Sequence, residues 1–201
     1  MSSHWCVIVN PASGGGRAKR VSVRVVDRLR AQGEAVDILL TQARGDGARL
    51  ARTALDQGAK QIAICGGDGT IHEVVNALVG AEAVVGLVPC GRGNDLARAL
   101  GVPNDVNGIV ETLVNGAERL IDLGRIGEQY FCTVASLGLD TVVAKTVYEN
   151  RVPFTGQLAY TLAVLKCLGP FQCPSVTLKG DFGTFEGRIF VAATGNTAFY
   201  G

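Results

Sequence analysis

Gln61-Ile-Ala-Ile-Cys65, followed by Gly66-Gly67-Asp68-Gly69-Thr70-Ile71-His72-Glu73, is the stretch whose reading decides the fold. The first five residues are short, mostly apolar and bounded by turn residues, so they read as a strand. Three glycines follow within four positions. Residues 70 to 79 then take up helical spacing, which Gly80 can end. Strand, glycine-rich turn and helix in that order form the repeating unit of an open parallel sheet wrapped by helices.

The same unit recurs along the first half of the chain. Trp5 to Val9, Ala35 to Leu40 and Val84 to Val88 read as further strands. Residues 16 to 32 place Ala18, Val21, Val25 and Leu29 on one helical face, and 46 to 57 do the same with Ala48, Ala51, Ala54 and Leu55. A further helix fits 105 to 115, with Gly116 at its end. In such sheets ligands lie beyond the carboxyl ends of the strands. The glycine-rich turns after Val9, Cys65 and Val88 all fall there, so three turns are expected to converge on one cleft.

Near Leu123 the pattern changes. Gln129 to Ser136, Ser175 to Lys179 and Phe185 to Thr194 read as strands, interrupted by a largely helical stretch from about Asp140 to Leu168. The expected architecture is α/β. A parallel-sheet, Rossmann-like nucleotide domain spans 1–123, and a β-rich second domain of β-sandwich type spans 124–201. That second domain reads as incomplete, because the chain stops at Ala198-Phe199-Tyr200-Gly201, with adjacent aromatics where termini are usually polar.

Composition narrows the function classes. The chain has 201 residues, 47% of them hydrophobic, with 19 Lys and Arg against 18 Asp and Glu. That balance supports a folded core and leaves no broadly basic footprint for nucleic acid. No apolar run approaches the roughly 20 residues needed to cross a bilayer. The start, MSSHWCVIVNPASGG, lacks the flank and core of a signal peptide, so a cytoplasmic location is expected. Six cysteines without a C-x-x-C pair read as buried thiols in a reducing compartment, and two histidines nearly exclude a histidine metal cluster.

The turn at 66–73 has the chemistry of a phosphate site. Glycines let the backbone approach an anion closely, and amides at the helix start face it where the dipole favours negative charge. Asp68 is a candidate magnesium ligand. A capping box of Thr70 and Glu73 accounts for those two residues but leaves the glycines and Asp68 unexplained. The second turn, Asn10-Pro11-Ala12-Ser13-Gly14-Gly15-Gly16-Arg17, opens a helix in the same anion-friendly way and is not a Walker loop. In the third, Pro89-Cys90-Gly91-Arg92-Gly93-Asn94-Asp95-Leu96-Ala97-Arg98, Asn94 or Asp95 reads equally as an N-cap and as a ligand of metal or substrate hydroxyl, with Arg92 reaching phosphate. His72, in the first helical turn, reads as a supporting or a partly buried residue and not as a general base.

Arg17, Arg20, Arg24 and Arg28 follow helical spacing, and residues 1 to 30 carry six basic groups against Asp27 alone. Such a stripe is either a solvated face or a surface drawn to anionic lipid headgroups.

Asn10-Pro11 with its glycine run, GGDGTIHE at 66–73 and PCGRGNDLAR at 89–98 resemble, in order and spacing, the catalytic domain of diacylglycerol kinases. The resemblance is to the bacterial lipid kinase branch, related to sphingosine and ceramide kinases. GGDGT alone is shared with NAD kinases. Gly138-Leu139-Asp140, Gly156-Gln157-Leu158-Ala159-Tyr160 and Gly195-Asn196 with Tyr200-Gly201 are also similar to the family, so the resemblance covers the whole chain.

The resemblance implies a two-domain kinase that uses ATP and Mg2+ to phosphorylate a lipid hydroxyl, foremost that of diacylglycerol to give phosphatidate. It would be cytoplasmic and peripheral to the membrane. By motif match, ATP would contact Asn10, Pro11, Ala12, Ser13, Gly14, Thr41, Gly66, Gly67, Asp68, Gly69, Thr70, Ile71, His72 and Arg92. Asp68 would hold the metal, Asp68 and Asp95 would serve catalysis, and Asn94 and Asp95 would bind the acceptor. The family usually has threonine where this chain has Arg92. Its proton-accepting carboxylate falls beyond Gly201, so no general base is named, and little or no turnover by these 201 residues alone is expected. A nucleotide-binding regulatory module without chemistry, and a kinase for sphingosine, ceramide or NAD, remain the alternatives. The oligomeric state is unspecified, a homodimer being one option.

Overall fold

The computed structural model of the chain describes residues 4–148 and 157–199. Gly156, Tyr200 and Gly201, which contribute to the family resemblance, lie outside the described residues, as does the middle of the expected helical stretch. Two compact units divide the described chain: 4–133 with 196–199, and 134–195.

The first unit runs β1 (His4–Val9), α1 (Arg17–Ala31), β2 (Ala35–Leu40), α2 (Asp46–Asp56), β3 (Gln61–Gly66), α3 (Asp68–Leu78), β4 (Val84–Pro89), α4 (Asp95–Ala99), α5 (Val106–Asn115), β5 (Gly124–Ile126) and β6 (Gln129–Phe131). The four long strands form one parallel sheet in the order β2-β1-β3-β4. Alternation along β1 shows why both faces are covered. Trp5, Val7 and Val9 pack with Val25, Val26 and Leu29 of α1 and with Ile109 and Val110 of α5. Cys6 and Ile8 point the other way, against Leu50 and Ala54 of α2 and Ile71 and Val74 of α3. Because β2 lies on one side of β1 and β3 on the other, the switch of direction falls between β1 and β3, where such sheets open a crevice.

The helices follow the expected spans with two differences. In α2 the buried face is Gly47, Leu50, Ala51 and Ala54, rotated from the expected one because Gly47 packs directly on Glu73 of α3. In α3 the first helical residue is Asp68, so the helix begins inside the glycine-rich turn.

Gln129 to Ser136 is not one strand. β5 and β6 form an antiparallel hairpin held to α3 by the Asn76 amide, which donates to the Tyr130 carbonyl and accepts its N–H, each at 2.8 Å. The chain breaks at Cys132 and Thr133 before the next strand.

The second unit holds β7 (Val134–Gly138), α6 (Leu139–Tyr148), α7 (Gln157–Leu168), β8 (Ser175–Gly180), β9 (Gly183–Arg188) and β10 (Val191–Gly195). β7 pairs antiparallel with β10, and β8 with β9. The segment expected as one strand from Phe185 to Thr194 is interrupted at Ile189 and Phe190. There the Ile189 N–H donates to the Pro174 carbonyl and the Phe190 carbonyl accepts the Leu139 N–H, so neither group serves a ladder. Leu139, Val143, Ala159, Ala163 and Cys167 make a small core between α6 and α7.

Candidate nucleotide site

The loops after β1, β3 and β4 meet through their main chains. Asn10 donates its backbone N–H to the Cys65 carbonyl at 2.9 Å, and its side-chain amide donates to the Thr70 hydroxyl at 3.0 Å. Its carbonyl Oδ1 accepts the Ala12 N–H, which sets the turn before the glycines. Gly14, Gly15 and Gly16 all have positive φ, +61°, +63° and +91°. Gly14 rests on the end of β4: a Cβ there would lie 2.1 Å from the Cys90 carbonyl oxygen. Gly67 and Gly91 touch in the same manner, a Cβ on Gly67 falling 2.9 Å from Gly91 Cα. Main chain on main chain at these points admits no side chain, which is why glycine is required there.

Asp68 ties the second loop to the third. Its Oδ2 accepts the Asn94 N–H and its Oδ1 the Asp95 N–H, each at 2.8 Å. These amides open α4, so the cap of that short helix comes from α3. Asn94 occupies the N-cap position at φ +54°, but its side chain turns back to Gly91, accepting that N–H at 2.7 Å and donating to that carbonyl at 2.9 Å. Of the two readings of Asn94, side-chain capping of α4 is thus excluded. Asp95 is buried, with the Arg98 guanidinium 3.9 Å from its Oδ1.

Glu73 does not form the capping box. Its Oε1 accepts the Gly45 N–H at 2.9 Å and its Oε2 the Gly47 N–H at 3.1 Å, so it caps α2 instead of its own helix. Thr70 lies inside α3, and its hydroxyl is the acceptor of Asn10. Asp46, the first residue of α2, accepts the Gln42 and Ala43 amides, which with the Arg49 guanidinium hold its carboxyl below the usual carboxylate range. The loop that begins at Thr41 is therefore fixed from both sides. Thr41 itself is buried and donates its N–H to the Val9 carbonyl, one residue before Asn10.

The remaining expected residues divide by position. The Ile71 side chain is in the core, leaving only its main chain toward the loops. His72 is exposed instead of partly buried, with its carbonyl accepting from the Asn76 amide. Arg92 is exposed and borders a cavity of about 510 Å³ that Arg17, Arg98 and Asn104 also line. Pro11, Ala12 and Ser13 lie in the turn after β1. Sequence reasoning gave Arg98 no role, yet it donates to the Gly93 carbonyl at 3.0 Å and its guanidinium lies 5.0 Å from the centre of the Phe199 ring. Its spacing three residues after Asp95 was the available signal.

The chain is similar to known proteins over most of its length. The family model for the diacylglycerol kinase catalytic domain matches residues 4–126. A diacylglycerol kinase of Bacillus subtilis (strain 168) is 34% identical over 188 residues, covering 92% of this chain and 62% of that protein. One of Staphylococcus carnosus (strain TM300) is 29% identical over 193 residues, covering 95% and 63%. The chain thus spans about 62% of the length of these relatives. A crystal structure of a diacylglycerol kinase from Bacillus anthracis str. Sterne shares the fold at a TM-score of 0.73 and 22% identity, covering 98% of this chain. With the family match extending from the first strand through the fused loops to β5, the chain belongs to the diacylglycerol kinase catalytic domain family.

Proposed function

We propose that this chain provides the nucleotide-binding part of an ATP-dependent lipid kinase that phosphorylates a lipid hydroxyl, with diacylglycerol as acceptor and phosphatidate as product. The observation that carries the reading is the main-chain contact of three glycine-rich loops beyond the carboxyl ends of β1, β3 and β4, Gly14 on Cys90 and Gly67 on Gly91. Loops without side chains at a sheet switch point suit a triphosphate, whose charge is stabilised by amides and by the start of α3. Phosphoryl transfer depends chiefly on such positioning and charge stabilisation.

Asp68 and Asp95 suit magnesium. A Cβ placed on Gly93 would lie 3.0 Å from Asp68 Oδ2 and 3.3 Å from Asp95 Oδ1, so the two carboxylates face one small volume. Among the described residues no group of three or more His, Cys, Asp or Glu side chains gathers. Magnesium takes one or two carboxylates and completes its shell with phosphate and water. Magnesium held by Asp68 and Asp95 would neutralise charge on the phosphates. Asp68 also fixes the start of α4 through the Asn94 and Asp95 amides, and in this reading Asn94 and Asp95 bind the acceptor hydroxyl. Arg92 and Arg98 add positive charge beside the third loop.

The acceptor enters from a membrane surface in this reading. No helix among the described residues is long and apolar enough to cross a membrane. Arg20, Arg24 and Arg28 are all exposed on α1, a face that suits anionic headgroups. The test is labelled ATP with diacylglycerol vesicles and the full-length protein. Labelled phosphatidate is expected, and no labelled phospholipid of any kind overturns the reading.

A further inference from the structure

The Cys65 and Cys90 sulfurs are 3.7 Å apart. Both residues are free thiols and fully buried. Each is the last residue before a glycine of the site: Cys65 precedes Gly66-Gly67-Asp68, and Cys90 precedes Gly91-Arg92-Gly93. The kinase reading assigns neither thiol a task.

We propose that Cys65 and Cys90 are an oxidisable pair, whose disulfide, formed with a peroxide as oxidant, displaces the second and third loops and loosens nucleotide binding. Only the nucleotide consequence rests on the kinase reading. In the first step one sulfur attacks one peroxide oxygen, giving a sulfenic acid and releasing one water. The other sulfur then displaces the hydroxyl, forming the S–S bond and a second water, so two thiols and one hydrogen peroxide give one disulfide and two waters.

The two sulfurs have different surroundings. The hydrogen bond to Cys90, followed by burial, pushes the Cys65 thiol far above its ordinary range. That same bond holds the Cys90 thiol below its ordinary value against the opposing effect of burial, with a smaller contribution from the Arg17 guanidinium. The Cys65 S–H also faces the Ala18 carbonyl at 3.6 Å, which keeps its proton in place. Both sulfurs are buried, so in this proposal peroxide reaches them on transient local opening of the chain.

Geometry supplies the consequence. A disulfide bond is about 2.05 Å long, so closure draws the sulfurs together by more than about 1.5 Å. Cys65 is in register with Val88, two residues before Cys90, and the backbone must shift to complete the bridge. No slack is available beyond the bridge, because Gly67 and Gly91 are already in main-chain contact. Misplacement of about 1 Å at a phosphoryl-transfer site is enough to cost affinity or rate by a factor of ten or more.

The experiment treats the whole chain with hydrogen peroxide, maps cross-linked peptides by mass spectrometry, and measures ATP binding by calorimetry before and after dithiothreitol. The expected result is a peptide pair joined at Cys65 and Cys90, two hydrogens lighter than the reduced pair. ATP affinity should fall about tenfold or more and return on reduction. Cys90→Ala and Cys65→Ser chains should bind ATP in the reduced state and resist the loss. Two thiols that stay separately alkylatable after treatment overturn the proposal, and so does a disulfide-bearing chain with unchanged ATP affinity. If the reduced chain binds no ATP, the kinase reading fails while the linked peptide is still read by mass. Hydrogen exchange at 66–69 and 91–95 then decides, with faster exchange after oxidation supporting loop displacement and unchanged exchange overturning it.

Discussion

Asp68, the first residue of α3, accepts the main-chain N–H of Asp95 at 2.8 Å, and its other carboxylate oxygen accepts that of Asn94 at the same distance. One lone pair of each carboxylate oxygen is thus committed to the neighbouring loop, and the second on each is left to face an ion. Asp68→Asn turns one of those acceptors into an amide donor facing an N–H. The folded state should lose about 2 kcal/mol, read as a lower urea midpoint with an unchanged slope, because an amide is left unpaired in a partly buried position. ATP affinity should fall with it. An unchanged midpoint would mean that the α4 amides find another acceptor.

Gly69 separates fold from function. It lies in the first turn of α3 with φ outside the left-handed region, and a Cβ there meets nothing within 4 Å. Gly69→Ala should therefore leave the fold intact and raise stability by about 0.5 kcal/mol through the entropy of the unfolded chain. If a phosphate lies against this turn, the same methyl blocks it, so ATP binding should weaken while the melting temperature stays level or rises. Full ATP affinity in this variant would remove the first turn of α3 from the site.

Glu73 and Gly47 offer a coupled pair. The carboxylate accepts the Gly47 N–H, and a Cβ on Gly47 would fall 2.8 Å from Glu73 Oε2. Glu73→Ala removes the cap of α2 and should cost about 1 kcal/mol. Gly47→Ala pushes the carboxylate away from the same amides and should cost a similar amount. In the double variant the methyl no longer has a carboxylate to displace, so the two losses should not add. Strict additivity in chemical denaturation would argue that the contact contributes nothing.

The strands of the parallel sheet and its glycine turns were legible because Val and Ile runs bounded by glycine have few other readings. What the turns do to one another was not. Asp68 reaching Asn94 and Glu73 reaching Gly45 join residues 26 and 28 positions apart, and no local pattern announces such partners. The capping-box spacing of Thr70 and Glu73 misled for the same reason: a local rule was available, but both side chains were drawn to other elements. In α2 the buried face was misjudged because glycine at 47 counts as non-apolar in a periodicity yet packs most closely. The reading of Gln129 to Ser136 as one strand joined β6 to β7 and missed β5, since the fastening of the β5–β6 hairpin to Asn76 lies on a distant helix.

Alkaline pH should destabilise the fold through buried thiols. Burial, with a smaller contribution from Asp37, pushes Cys6 up to about 11 from an ordinary 9.0, and burial alone does the same for Cys132. A thiol that holds its proton longer when folded than when unfolded favours the folded state below pH 9.0. That contribution is lost as pH rises from there through about 11. Each residue should account for roughly 2 kcal/mol across the window. Urea titrations at successive pH values should show the decline, and Cys6→Ala with Cys132→Ala should reduce it, the share of the buried Cys65 thiol persisting. A slope undiminished by both replacements would assign the loss to other groups.

The basic face of α1 has a consequence that stability cannot report. Arg20 and Arg24 are both exposed on α1. If the face meets anionic lipid, each contributes about 1 kcal/mol of attraction, so Arg20→Glu with Arg24→Glu reverses the sign at two positions and should weaken partitioning tenfold or more. The effect should shrink as salt rises, because a Debye length of about 3 Å at 1 M screens charges across the interface. Sedimentation with vesicles of anionic and of neutral lipid measures both. ATP affinity should be the same in the variant, which separates membrane attraction from damage to the site. Equal partitioning of the parent and the doubly reversed chain at low salt would return the stripe to an ordinary solvated face.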